Sequence, residues 1–166
     1  MRDIIGFSNT VRMTARRNGE ILWTETARNL MTNAGLDDVL DKYFSGSAYT
    51  ASHFIGLTDG TPTFAAGDTM ASHAGWAEVT AYDEAARPAY TPGAVSGQSV
   101  SNSASKATFT VSTGGATLGG AFVATDATKG GTAGVLVAGL AFGGGDRTLN
   151  AGDTLEITWT FDASSV

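Results

Sequence analysis

From residue 154 to 161 apolar and polar residues alternate without a break: Leu155, Ile157, Trp159 and Phe161 fall on one side, Thr154, Glu156, Thr158 and Thr160 on the other. A period of two is the signature of a half-buried strand, and a helix over the same residues would scatter these side chains around its circumference. One such strand requires neighbours, and the chain supplies them. Residues 54–57 form a short apolar run; Ala107, Phe109 and Val111 alternate with Thr108 and Thr110; residues 121–124 give another short segment. Residues 135–142 are apolar almost throughout, which fits either a central strand buried on both faces or a surface that associates with another copy. Glycine and Asp-rich stretches at 130–131, 143–146 and 150–153 read as turns, the first two as hairpin turns. The expectation is an all-β sandwich with one helix.

Asn18-Gly19 is the favoured pair for a type I′ hairpin turn, with strand-forming residues on both flanks. An uninterrupted register from that turn puts Val11, Met13, Ala15, Leu22 and Thr24 on one face and Arg12, Thr14, Arg16, Ile21, Trp23 and Glu25 on the other. The first is a core face. The second sets Ile21 and Trp23 beside two arginines, either because the Arg stems shield Trp23 or because the face binds a partner.

A helix is expected within residues 29–44, where Leu36, Val39, Leu40 and Tyr43 have the spacing of one apolar stripe. Asn33 suits its N-cap, Asp37 and Asp38 sit early in it, and Gly46 ends it. Asp37, Asp38 and Asp41 read as a solvated helix face, since they lack the loop spacing of a calcium site. Residues 58–105 have little periodicity, yet so long a structureless connection is foreign to a compact domain. Trp76, Val79 and Tyr82 are expected to anchor a short strand or a covering loop, with an extended excursion from Pro88 onward. The strings at 66–69 and 151–154, both Ala-Gly-Asp-Thr, read as two turns of similar chemistry. The domain division expected is an N-terminal hairpin arm over 1–28 and a sandwich over 29–166 that carries one helix and a long excursion at 58–105.

Composition excludes several function classes. With no Cys in 166 residues there is no disulfide framework, thiol redox centre or cysteine nucleophile. Ala, Thr, Gly and Ser make up 84 residues and charged residues only 16%, so the surface is neutral and rich in hydroxyls and methyls. The net charge of -6 divides into +2 over residues 1–30 and -8 over the remainder, an acidic body unsuited to duplex nucleic acid. Residues 1–8 lack the apolar run of a secretory signal, and no stretch reaches membrane-spanning length, so a soluble product made in the cytoplasm is expected.

No catalytic constellation emerges. His53 and His73 have no Cys or further His to complete a metal set. Ser72-His73 lacks a nucleophile elbow, and the glycine clusters do not stand between a strand and a helix as phosphate loops do. The adjacent Asp83-Glu84 reads as a solvated turn or a salt bridge to Arg87.

Three strings, residues 29–36, 68–76 and 82–88, together with 101–109, 120–122, 141–142 and 152–155, resemble a group of small tailed-bacteriophage structural proteins over about residues 29–161. Within that group the chain looks most like capsid cement or decoration proteins. The resemblance implies a jelly-roll-like antiparallel β-sandwich, a homodimer or homotrimer, no enzymatic activity, no cofactor and no metal. It also implies a place on the capsid exterior, bound across major capsid protein subunits. The expected contact residues are Arg12, Arg16, Ile21 and Trp23 of the hairpin and Trp76, Tyr82, Arg87 and Tyr90 of the excursion. Two other classes stay open: a tail or baseplate structural protein, and a carbohydrate-binding jelly roll of a fibre using Trp76, Tyr82 and Tyr90.

Overall fold

The computed structural model describes residues 5–49, 52–112 and 114–165; the first four residues of the stretch read for a secretory signal lie outside it. In chain order the elements are β1 (Ile5–Arg17), β2 (Glu20–Arg28), β3 (Leu30–Met31), α1 (Asn33–Phe44), β4 (His53–Thr58), β5 (Glu78–Val79) and β6 (Ala89–Tyr90). There follow β7 (Ser99–Ser101), β8 (Ala107–Thr110), β9 (Ala116–Leu118), β10 (Gly120–Ala124), β11 (Leu136–Ala141), β12 (Arg147–Leu149) and β13 (Thr154–Ser165). The chain is an all-β sandwich of antiparallel sheets carrying one helix.

The first sheet runs β2-β1-β13, with β7 and β8 sharing the far edge of β13. The second runs β3-β11-β10-β4, with β5 and β6 on the far edge of β4, and β9 with β12 make a small third sheet. The alternation at 154–161 does what period two requires. Leu155, Ile157 and Trp159 are fully buried against Val11, Met13 and Ala15 of β1 on one side and Phe109 and Ala107 of β8 on the other, while Thr154, Glu156, Thr158 and Thr160 are half-exposed. Facing them, Ile55, Leu57, Ala121, Val123, Ala138 and Leu140 complete the main core.

β1 pairs with β13 from Ile5↔Ser165 to Arg16↔Thr154 and is therefore an inner strand of the sandwich. The expected division at residue 28 does not separate two packed units. The Asn18-Gly19 turn forms as expected, both residues at positive φ (50° and 84°) with Arg17 opposite Glu20. The facing derived from an uninterrupted register is overturned, however, because a β-bulge follows at once: Arg16 pairs with Ile21, but Ala15 pairs with Trp23. The extra residue, Leu22, reverses every later side chain. Trp23, Glu25 and Ala27 join the core face, leaving Arg12, Arg16 and Ile21 outside with Thr24 and Thr26.

β11 is buried on both faces between β3 and β10, so the 135–142 run is a central strand and not an association surface. Its second face belongs to a separate small core. Residues 59–77 fold over the outside of the second sheet, where Met70 and Trp76 are buried against Phe122, Ala124 and Leu136. Trp76 lies 5.0 Å from the Phe122 ring and 5.1 Å from that of Phe64, and Gly139 leaves the room that Phe64 occupies. This first part of the 58–105 stretch is thus a covering loop, and β5 at 78–79 is the short strand anchored with it.

The helix lies within the expected stretch but begins one residue before the expected cap would place it. Leu30 and Met31 pair with β11 as β3, and the N-cap is Thr32, not Asn33. Thr32 Oγ1 accepts from Gly35 N at 3.0 Å and donates to the Leu136 carbonyl, so one hydroxyl caps the helix and ties it to the sheet. The first turn then contains no acid, so Asp37 and Asp38 are too late to sit in it. Gly35 is the helix's one buried residue, and a Cβ there would run into the Val137 backbone.

The 66–69 and 151–154 strings form matching turns. Asp68 Oδ2 accepts from Ala65 N at 3.0 Å and Asp153 Oδ2 from Asn150 N at 2.8 Å. Residues 143–146 do not close a hairpin as expected, since β11 and β12 pair with other strands; they carry the chain from the second sheet into the small one.

Candidate functional site

Of the expected contact residues, the structure brings the hairpin group partly to the surface and the excursion group into the interior. Arg12 is exposed, Ile21 retains 56% of its accessible surface, and Arg16 is half-exposed with its Nε 3.7 Å from Glu156. Trp23 is turned inward by the bulge. Its ring lies 5.9 Å from Phe142 beneath the Arg147 guanidinium, 5.4 Å away. Arg147 is held by Glu25 at 3.1 Å, and that carboxylate also accepts from the backbone N–H groups of Gly143 and Gly144. The hairpin is latched to the sandwich by this cluster.

Trp76, Tyr82, Arg87 and Tyr90 are all buried, which corrects their expected role as contacts. Arg87 is a structural cation: Nε and Nη2 bond the two Glu78 carboxylate oxygens at 2.9 and 2.7 Å, Nη1 and Nη2 reach the carbonyls of Asp126 and Gly131, and the guanidinium lies over Phe122. Its partner is Glu78 and not Asp83 or Glu84; the Glu84 carboxylate instead accepts from Thr110 N. Burial pushes the Tyr90 phenol up to about 12 and raises that of Tyr82 as well, so both rings are neutral core members. His73 stacks on Trp76 with ring centroids 3.6 Å apart and its Nδ1 2.9 Å from the Trp76 carbonyl, a packing role rather than half of a nucleophile pair with Ser72.

The surface with the strongest unmet contact potential is one that the residue pattern did not single out. On α1 the expected apolar stripe of Leu36, Val39, Leu40 and Tyr43 is not all covered: Leu40 retains 54% of its surface and Tyr43 81%. Phe44, at 69%, packs edge-on against Tyr43 at 4.9 Å. Tyr43, Tyr49 and Val95, the last two 74% and 73% exposed, rim an apolar groove of about 460 Å³ whose floor includes Phe7, Tyr90, Val100 and Phe161. The groove lies where α1, the end of the first sheet and the 92–100 loop converge. Burial holds the His53 imidazole in its wall below its ordinary pKa, while the nearby Asp38 carboxylate acts in the opposite sense. The signal that could have revealed this surface is Phe44-Tyr49: aromatics continuing past the end of the stripe have no helical face left to be buried by.

What such a surface does chemically is to bind another apolar surface. A second depression, of about 470 Å³ between β9 and β12, is lined by Gly, Ala, Thr, Leu and Asn and presents no ionisable group among the described residues. No group of three or more His, Asp or Glu side chains converges as a metal site among the described residues, and no helix there is long and apolar enough to cross a membrane. Comparison with protein-family models, with curated proteins and with solved structures finds no match to this chain.

Proposed function

We propose that this chain is a non-enzymatic structural protein of a tailed-bacteriophage virion that decorates the capsid exterior, binding across major capsid protein subunits and stabilising the DNA-filled head. The observation that carries the reading is the set of exposed apolar side chains Leu40, Tyr43, Phe44, Tyr49 and Val95, of which Tyr43, Tyr49 and Val95 rim an apolar groove. Large aromatic side chains exposed together on a monomer are the anchors of protein interfaces. They sit on a sandwich in which the buried charged groups Arg87 and Asp153 are engaged in holding the fold. Seated on the junction between two capsid subunits, the rim adds contacts that must break before the subunits part. Each contact is modest, and many copies on one symmetric shell act together.

A tail or baseplate protein would use the same rim and differ in copy number. The carbohydrate-binding reading loses its support, since Trp76, Tyr82 and Tyr90 are core residues. The test is binding to purified heads depleted of this chain. Tyr43→Ser with Phe44→Ser is expected to weaken binding at least ~10-fold while leaving the unfolding midpoint unchanged, because interface anchors contribute about 2 kcal/mol or more each. Unchanged affinity of the folded double variant would remove the α1 rim as the docking surface.

A further inference from the structure

The groove beside α1 is apolar in its floor, yet its wall carries a charge that nothing nearby offsets. Three of its lining residues can bear charge: Asp38, Lys42 and His53. Lys42 holds its Nζ 3.7 Å from Asp41 Oδ2, so those two charges offset one another. Burial keeps His53 below its ordinary pKa, and its imidazole is neutral at pH 7. Asp38 is left. It is half-buried, one helical turn before Lys42, and forms no ion pair with any of the described residues. In the empty groove water solvates this carboxylate. Whatever fills the groove removes that water, so a purely apolar occupant would strand a charge, whereas a cationic one compensates it.

The rest of the lining favours the same sign. Five of the fifteen lining residues are Phe or Tyr, in a chain that is 9% aromatic. Phe7, Tyr90 and Phe161 lie in the floor, the last two packed edge to face at 5.5 Å, and the exposed Tyr43 and Tyr49 stand on the rim. Aromatic faces attract cations. We infer that the groove takes an arginine side chain of another protein, its methylene stem along the aromatic floor and its guanidinium on Asp38. A planar, weakly hydrated guanidinium stacks on rings and pairs with a carboxylate through two N–H groups at once, which the strongly hydrated ammonium of lysine does not. The inference rests on the virion reading only for the source of that arginine, which would then be a capsid subunit.

The experiment is a titration of the full, isotopically labelled chain with Nα-acetyl-arginine methylamide, read from the backbone N–H resonances of Asp38, Tyr43, Tyr49 and His53. Saturable shifts with a Kd on the order of 1–10 mM are expected, as suits a single side chain. The citrulline derivative, nearly the same in shape but uncharged, should bind at least ~5-fold more weakly, and the lysine derivative should also bind more weakly than arginine. Asp38→Asn should weaken arginine binding by roughly 5-fold and erase the preference over citrulline, with an unchanged unfolding midpoint. Tyr49→Leu, which keeps the rim apolar but removes a ring, should weaken it by roughly 3-fold. No saturable shift at these residues, equal binding of arginine and citrulline by the wild type, lysine binding as tightly as arginine, or undiminished arginine binding by folded Asp38→Asn would each overturn the inference. No virion component enters this measurement, so its failure leaves the capsid reading to the head-binding test, and failure of that reading leaves the arginine site standing.

Discussion

Arg87 shows how one residue can be misread from its neighbours in sequence. Asp83 and Glu84 are near in the chain, but β5 lies alongside β4 and brings Glu78 to the guanidinium, whose side chain is wholly buried. Truncating one member of a buried pair leaves the other charge without compensation. Arg87→Ala is therefore expected to lower unfolding free energy by about 3–5 kcal/mol, measured by urea denaturation; a loss below ~1 kcal/mol would show that Glu78 finds water instead. His53 gives a prediction in pH. Its folded pKa is depressed, so the unfolded chain binds more protons between that value and about 6.5. The stability it confers is complete above about 6.5 and falls as pH drops through the lower folded value. Melting temperatures of wild type and His53→Asn followed across this range should converge toward the acid end; parallel curves would rule out the effect.

At the scale of elements, the hairpin and the helix carry opposite lessons. The Asn18-Gly19 turn was legible because φ > 0 at two consecutive positions is a local demand. The bulge was not, because what fixes it is remote: Trp23 packs on Phe142 and Arg147, more than a hundred residues on. Deleting Leu22 should accordingly leave the fold intact, since the remaining pairs become one continuous ladder with Trp23 still inward. We expect a stability change within about 1 kcal/mol and unshifted Trp fluorescence, whereas Trp23→Ala should cost about 3 kcal/mol or more. Red-shifted emission after the Leu22 deletion would contradict this facing. In α1 the apolar stripe was visible but its destination was not. The helix is held by its smallest residue, Gly35, and by Thr32 at its cap, while the large side chains stay outside. Gly35→Ala should destabilise by about 1–3 kcal/mol through backbone displacement, and Tyr43→Ser by less than about 0.5 kcal/mol.

For the whole molecule, period-two alternation was enough to give the sandwich, and β4, β8, β10, β11 and β13 lie where the apolar runs placed them. What no run reported is which sheet each strand joins, because that depends on long-range pairing such as β1 with β13. The candidate site was missed for the same reason: a stripe of Leu, Val and Tyr has the same pattern whether it meets this chain's own core or another protein. Acid stability also belongs to the whole. The hydrogen bonds from Arg17 depress the Asp153 carboxyl, those of Thr128 depress Asp126, and Lys106 depresses Glu156. Their contributions are present above about 4 and are lost as pH falls through the lower folded values, so unfolding should be steepest below about pH 4. The central claim, that the protein covers a viral shell, is tested most directly by its copy number relative to the major capsid protein in purified virions, determined by quantitative mass spectrometry. The account predicts a copy number comparable with that of the major capsid protein; a handful of copies per particle, or none, would contradict it.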